Sequence, residues 1–331
     1  MHSAPDTLPA TILSAETIAG DVRLLRIRPE FGFTRAEPGS HLSVALTLGG
    51  LDRIRSYSVV NDEGGAWTIA VRRLENGRGG SRFMAGLQAG DRIQVAAPRN
   101  HFQLSGSSPE YLLIAGGIGV TPILSMARAL AKRGRVRMLY AGRTRNSMAF
   151  LDDLTALLGD RLTVFVEAEG AVIDFAQEFA RLHAEGEAYI CGPNGMLTAA
   201  RNAWKAAGRL PALLRFETFG AGGAREPEAF DVHVRDHNLT LHVPSDASLL
   251  DTLARHGIQL ANDCQRGECG LCVVDVVEAS ALDHRCVFLS EEQRREGRKL
   301  CACVSRATGH VTIDTFYRPS LARTDLAAAA E

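Results

Sequence analysis

No stretch of this chain approaches the roughly 18 consecutive apolar residues that a helix needs to cross a bilayer, and neither sign of charge dominates it. Lys and Arg number 37 against 38 Asp and Glu, a formal net charge of −1. That balance excludes the broad basic surface of a nucleic-acid- or membrane-binding protein. The opening MHSAPDTLPATIL has neither the basic region nor the apolar core of a secretory signal. These absences point to a cytoplasmic protein, where structural disulfides are rare. Cysteine is scarce too: there are seven in 331 residues, an odd number that suits a disulfide framework poorly. Three of the seven nevertheless fall within nine positions, so clustered thiols here mean metal or redox chemistry.

The length is too great for one ordinary core and implies two or three domains, and the texture changes twice along the chain. Between 10 and about 100, apolar residues alternate at period two: Leu42, Val44, Leu46 and Leu48, then Trp67, Ile69 and Val71, then Ile93 and Val95. With Gly and Asp between the runs, this reads as an antiparallel barrel or sandwich. From about 110 the apolar runs LLIA (112–115), VRMLYA (136–141), LTVFVE (162–167) and AYIC (188–191) alternate with helical stretches. Such a βαβ series implies a parallel, doubly wound sheet. GAGGAREPEAF (220–230) reads as a linker. Beyond it, a unit of about 90 residues has strands near 232–234, 239–243, 273–278 and 311–315, one helix near 248–256 and a cysteine loop. The last dozen residues read as a frayed tail. The expected partition is 1–105 for the β-barrel, 106–222 for the α/β domain and 223–331 for the cysteine-bearing domain with its tail.

DCQRGECGLC (263–272) holds Cys264, Cys269 and Cys272 at C-x4-C-x2-C spacing, the pattern of a plant-type [2Fe–2S] cluster. Two irons need four thiolates, and a tight loop can wrap three of them while Gly267 and Gly270 take unusual backbone angles. Inward-facing amides would then bond the sulfurs. The fourth ligand is Cys301 or Cys303 in KLCACVSRA. They lie two apart, so on a regular strand both face one way and alternation does not choose. Competing readings are a four-cysteine zinc site built on Cys269/Cys272 and Cys301/Cys303, or inert buried thiols; zinc has no need of Cys264.

AGGIGVTPILSMARAL (115–130) follows an apolar strand and opens a helix, the setting of a dinucleotide site. Gly116, Gly117 and Gly119 allow close approach of a phosphate. Thr121 is placed to cap the helix, with Pro122 at its first position. The run is G-x-G-x-x-P rather than G-x-G-x-x-G, and a bland glycine turn is the alternative. The second strand ends not in an acid but in Arg143, Thr144 and Arg145; the two arginines either cradle a 2′-phosphate or sit on a solvated loop. Cys191, Gly192 and Pro193 make a second sharp turn at the carboxyl edge, where ligands bind in such sheets. Cys191 itself reads equally as a nicotinamide contact and as a small core residue. In the β domain, RSYSVVND (55–62) and GRGGSRFM (77–84) supply an arginine for a phosphate (Arg55), a ring to stack (Tyr57), a hydroxyl (Ser58) and a helix start at Gly79, Gly80 and Ser81. Alone, R-x-Y-S is weak, because Tyr and Ser in strands are commonly structural.

Taken together, the R-x-Y-S barrel, the G-G-x-G-x-T-P domain with its later C-G-P, and the C-terminal C-x4-C-x2-C unit resemble the phthalate dioxygenase reductase family. Vanillate O-demethylase reductase subunits belong to the same group. The resemblance spans about residues 10–317. It implies an FMN-binding barrel, a nicotinamide-binding α/β domain and a β-grasp [2Fe–2S] domain. By motif, FMN would contact Arg55, Ser56, Tyr57, Ser58, Gly79, Gly80 and Ser81, and Thr121 and Phe219 would lie near the flavin. The family's C-V-S-R motif falls on Cys303 and makes Cys301 the bystander; Cys286 receives no role. The implied activity takes a hydride from NADH, with NADPH left open, and passes electrons to a Rieske-type oxygenase. Hydride transfer needs no acid–base residue, so the lack of a catalytic triad or carboxylate pair is expected. Two other functions stay in view: a reductase of the same modules that acts alone or serves a cytochrome P450, and a non-enzymatic, zinc-containing nucleotide-binding protein.

Overall fold

Residues 6–48, 51–75, 79–219 and 227–315 are described by the computed structural model. Most of the expected linker (220–226) and the expected tail lie outside them. The alternating runs form the strands they predict: β1 (Thr7–Ala19), β2 (Val22–Pro29), β3 (His41–Leu48), β4 (Leu51–Asn61), β5 (Trp67–Arg72), then a short helix α1 (Gly80–Gly86) and β6 (Arg92–Ala96). All pairings are antiparallel, and the order β1-β2-β5-β4-β3-β6 closes into a barrel through β6 and β1. Leu42, Val44, Leu46, Trp67, Ile69, Val71, Ile93 and Val95 point inward and fill it, each aliphatic side chain adding about 1.5–3 kcal/mol by leaving water. The buried indole of Trp67 donates to the Thr34 carbonyl at 2.8 Å, so its one polar atom is satisfied.

The βαβ series runs β7 (Tyr111–Gly116), α2 (Val120–Leu130), β8 (Val136–Gly142), α3 (Leu151–Leu158), β9 (Leu162–Val166), α4 (Phe175–Arg181), β10 (Glu187–Cys191), α5 (Asn194–Ala206) and β11 (Leu214–Glu217). Every pairing is parallel, in the order β11-β10-β7-β8-β9. The direction of winding reverses between β7 and β10, and ligands bind in the crevice such a reversal leaves at the carboxyl ends. Barrel and sheet share one core: Val22, Val60, Ala70 and Phe102 pack into the cluster built around α2, β7 and β8. Arg128 of α2 donates to the Val60 carbonyl at 2.8 Å, and the Gly39 amide donates to Ser125 Oγ at 3.0 Å. Residues 3–218 therefore form one compact unit.

The second unit, from Phe219 onward, contains β12 (Phe230–Val234), β13 (Leu239–Val243), α6 (Leu249–Arg255), β14 (Val273–Asp283), α7 (Glu291–Glu296), β15 (Lys299–Cys301) and β16 (Arg306–Asp314). Its mixed sheet has the order β13-β12-β16-β14-β15, with β12 and β16 parallel and the other pairs antiparallel. Ser248 and Asp251 make a reciprocal capping box at the start of α6, and Ser290 and Gln293 do the same for α7. Arg306 is buried and fully engaged. It donates to the carbonyls of Glu228, Pro244 and Ala247 at 2.7–3.0 Å and lies over the Phe230 ring, tying the start of β12 to the segment that carries Cys303.

Candidate cofactor sites

Arg55, Ser56, Tyr57 and Ser58 lie on β4, opposite Val44, Ser43, Leu42 and His41 of β3. Ser58 is buried, Arg55 and Tyr57 are half-buried and Ser56 is exposed. Burial raises the Tyr57 phenol above its ordinary pKa, with the Arg55 charge opposing, so the ring stays neutral. The helix start expected at Gly79, Gly80 and Ser81 is present: Gly79 has φ +83°, and α1 begins at Gly80. A Cβ at Gly80 would lie 3.0–3.3 Å from Cγ, Nε and Cδ of Arg55. The arginine is thus laid across the first turn of the helix, where the backbone N–H groups lack intrahelical partners. A guanidinium, free-ended amides and a hydroxyl are the donor set a phosphate requires, and this cradle fits one. Ser81 Oγ also accepts the Leu74 amide at 3.1 Å, which fixes its position.

Helix α2 packs against β4, so this strand meets the glycine turn. Gly117, with φ +54°, turns the chain out of β7 into a 3-10 turn at Gly117–Gly119 that runs straight into α2. In consequence α2 starts at Val120 with Gly119 as its N-cap. Thr121 is not the cap expected from the sequence: it sits inside the first turn, buried, with its hydroxyl donating to the Ile118 carbonyl at 3.1 Å. Pro122 stands third rather than first, a position that still needs no N–H. Directly across lies the second turn. A Cβ on Gly119 would sit 2.3 Å from the Cys191 carbonyl oxygen; one on Gly116 would sit 2.6 Å from Cδ of Pro193; one on Gly192 would be 3.1 Å from the Gly116 backbone. The glycines are therefore needed for contact between two backbones at the reversal point of the sheet. Cys191 is buried to 1% and belongs to the core cluster. Phe219 follows β11 with its ring 44% exposed.

In the second unit Gln265, Gly267 and Gly270 all take positive φ (+49°, +78° and +77°), which curls the loop so that amides turn inward. The N–H groups of Arg266, Glu268 and Cys269 each lie 3.4 Å from Cys264 Sγ. Burial raises the Cys264 thiol, and these amides oppose it. Cys272 is the reverse case: the thiols of Cys301 and then Cys303 donate to it and draw its pKa well below the ordinary thiol value, while theirs rise. Among the described residues no group of three or more His, Cys, Asp or Glu converges to hold a metal ion. The fit is judged instead from the donor set: soft thiols on one curled loop, inward amides and a further thiol beside them suit an iron–sulfur cluster.

Cys301 and Cys303 both reach Cys272, but they do not lie on one strand. β15 ends at Cys301 and the chain turns over 302–304, so strand alternation does not extend to Cys303. Cys301 contacts Cys272 and Cys286. Cys303 contacts Cys272, senses the Cys264 charge and receives the Gly267 amide; it belongs to the loop. Its neighbours are locked as well: Ser305 Oγ accepts the Arg285 amide at 3.1 Å, and Arg306 carries the bonds described above.

The segment Cys286–Phe288, part of the family-like stretch DHRCVFL (283–289) to which the motifs assign no role, covers the loop. Gly267 O accepts the amides of Val287 and Phe288 at 3.0 and 3.1 Å. A Cβ on Gly270 would strike the Phe288 ring at 2.3 Å, and one on Gly267 would meet Cys286 at 2.8 Å. His41 was missed; it is buried opposite Ser58, with its ring edge-on to His101 at 5.2 Å.

Three family models match the chain. Residues 9–104 match the oxidoreductase FAD-binding domain, 92–212 the N-terminal domain of dimethylamine monooxygenase subunit DmmA-like proteins, and 232–308 the 2Fe-2S iron-sulfur cluster binding domain. Vanillate O-demethylase oxidoreductase of Pseudomonas putida is 32% identical over 308 residues, 91% of this chain and 97% of that protein. The solved phthalate dioxygenase reductase, described as a modular structure for electron transfer from pyridine nucleotides to [2Fe-2S], superposes with a TM-score of 0.77 at 30% identity, over 93% of this chain and 98% of that one. The chain belongs to the phthalate dioxygenase reductase family. It is a flavin and [2Fe–2S] oxidoreductase, and the three-module fold expected from its motifs is the family's own. An intact type IV self-sufficient cytochrome P450 monooxygenase is 32% identical, with a TM-score of 0.64, over 93% of this chain and 41% of that one.

Proposed function

We propose that this reductase draws electrons from NADH and delivers them to a separate Rieske-type aromatic-ring oxygenase or O-demethylase. The observation that carries the reading is the joining of the barrel cradle and the two-turn crevice by one shared core, with the cysteine loop in a unit of its own. In the proposed partition, residues 1–105 hold the flavin, 106–222 the nicotinamide nucleotide and 223–331 the cluster.

Once bound, flavin and cluster together convert a two-electron hydride into single electrons, chemistry no side chain supplies. The polypeptide binds and orients. Arg55, Gly79, Gly80 and Ser81 take the flavin phosphate, while Ser56, Tyr57 and Ser58 line its ring system. Gly116, Gly117, Gly119, Thr121, Pro122, Cys191, Gly192 and Pro193 form the crevice for the nicotinamide nucleotide. Phe219 stands near the flavin edge. Cys264, Cys269, Cys272 and Cys303 hold the cluster. No two of the seven cysteines are joined in a disulfide, which fits the cytoplasmic place proposed here; no described helix is long and apolar enough to cross a membrane.

The test is reconstitution with the oxygenase encoded beside this chain or co-purifying with it. Substrate turnover should depend on NADH, the oxygenase and this protein together. Turnover supported only by a P450 would favour the second reading, which has its support in the reductase-like portion of the self-sufficient P450. The flavin is expected to be FMN, because the cradle of Arg55 and the start of α1 suits a single phosphate and the barrel motifs resemble those of the mononucleotide family. Chromatography of the heat-released flavin should show FMN; recovery of FAD would refute this.

A further inference from the structure

β8 ends at Gly142 and β9 at Val166, side by side at the carboxyl edge of the sheet. The loops that follow are tied together: the Ala168 amide donates to the Arg143 carbonyl at 3.0 Å. Thr144 and Ser147 form a capping box around the turn at Arg145–Ser147, which holds Arg145 in place. From the next loop Glu169 closes a fork on that arginine, with Nε to Oε1 at 2.7 Å and Nη2 to Oε2 at 2.8 Å. Each partner shifts the other toward its charged form, so Arg145 is raised and Glu169 lowered. The side chains are 56% and 49% exposed, and an ion pair in that setting does little for stability.

Its position is more telling. In a doubly wound sheet the phosphate turn follows the first strand, here β7. The end of the neighbouring strand, here β8, meets the adenosine ribose, where an acid accepts from a 2′-hydroxyl and an arginine takes a 2′-phosphate. By sequence alone Arg143 and Arg145 suggest the phosphate pattern. The fold supplies Glu169 from the adjacent strand and fills the planar face with which Arg145 would grip a phosphate.

We propose that the Arg145–Glu169 pair determines dinucleotide specificity, selecting NADH against NADPH. To bind at Arg145, a 2′-phosphate must break a two-point, charge-assisted contact and then lie beside the released carboxylate. A 2′-hydroxyl meets neither obstacle. This rests on the reductase reading above and deepens it.

The test uses the full-length protein with its cofactors. Ferricyanide reduction gives kcat/KM for NADH and NADPH, and calorimetry gives the affinity for 2′,5′-ADP and 5′-AMP without turnover. The wild-type protein should prefer NADH. Glu169→Gln keeps the shape and removes the charge; it should raise the NADPH/NADH ratio and the affinity for 2′,5′-ADP each by about tenfold, with 5′-AMP unchanged. Adding Arg145→Gln to Glu169→Gln should abolish both gains. The proposal is overturned if the ratio ignores Glu169→Gln, if the gains survive loss of Arg145, or if the wild-type protein prefers NADPH. Failure to oxidise either nucleotide would sink the reductase reading, and this one with it. A ratio indifferent to Glu169 in an active enzyme sinks only this one.

Discussion

Cys303→Ser should yield a protein that is yellow but not brown, with iron and sulfide at background and flavin still bound. Cys301→Ser should keep a normal [2Fe–2S] spectrum. The two thiols are two residues apart and equally buried, so exposure does not separate them; their neighbours do. Cys303 lies beside Cys272, within the field of Cys264 and under the Gly267 amide. Cys301 ends β15, paired with Val273, and shares its sulfur contacts between Cys272 and Cys286. A serine at 303 replaces a soft thiolate with a hard hydroxyl, a far poorer ligand for iron. A serine at 301 buries a hydroxyl in an apolar setting, a cost of about 1–3 kcal/mol that the hydrogen bond to Cys272 reduces. That variant should melt lower yet hold its cluster. The reverse pattern, a normal cluster in Cys303→Ser and none in Cys301→Ser, would exchange their roles.

How far these sites were legible depended on how local their determinants are. The C-x4-C-x2-C loop was readable because the three proposed ligands and two turn glycines lie within ten residues. G-G-x-G and C-G-P were readable singly. Their mutual contact was not, because it comes from β10 lying next to β7, about 75 residues away in sequence. Strand alternation could not choose between Cys301 and Cys303, and in the fold it does not apply to Cys303, because β15 is three residues long and stops at Cys301. β11 was missed because it too is short, and two of its four residues are Arg215 and Glu217. Thr121 was misplaced as a cap because Gly117 starts the helical path earlier than the apolar periodicity shows. Glu169 lies 24 residues from Arg145, and only the parallel pairing of β8 with β9 brings it back. The Ser290 and Gln293 box before α7 is by contrast a short-range signal, carried by S-E-E-Q.

Residues 1–225, expressed without the remainder, should stay yellow and oxidise NADH with ferricyanide at a kcat within about twofold of the full chain. They should support no turnover by the oxygenase. The first half of this expectation follows from the core. Val22, Val60, Ala70 and Phe102 of the barrel side share one cluster with α2 and β7, and the cradle and the crevice both belong to residues 3–218. Among the described residues the second unit has a cluster of its own, from Phe230 to Ile313; each side can fold alone. The second half follows from the ligands. All four proposed cluster cysteines lie beyond the cut, and ferricyanide takes electrons directly from flavin, whereas a protein partner needs a docked relay. Phe219 lies six residues before the new terminus, so loss of NADH oxidation in a folded, yellow fragment would show that the second unit helps to build the nicotinamide site. A fragment that drives the oxygenase as well as the full chain would remove the cluster from the electron path altogether.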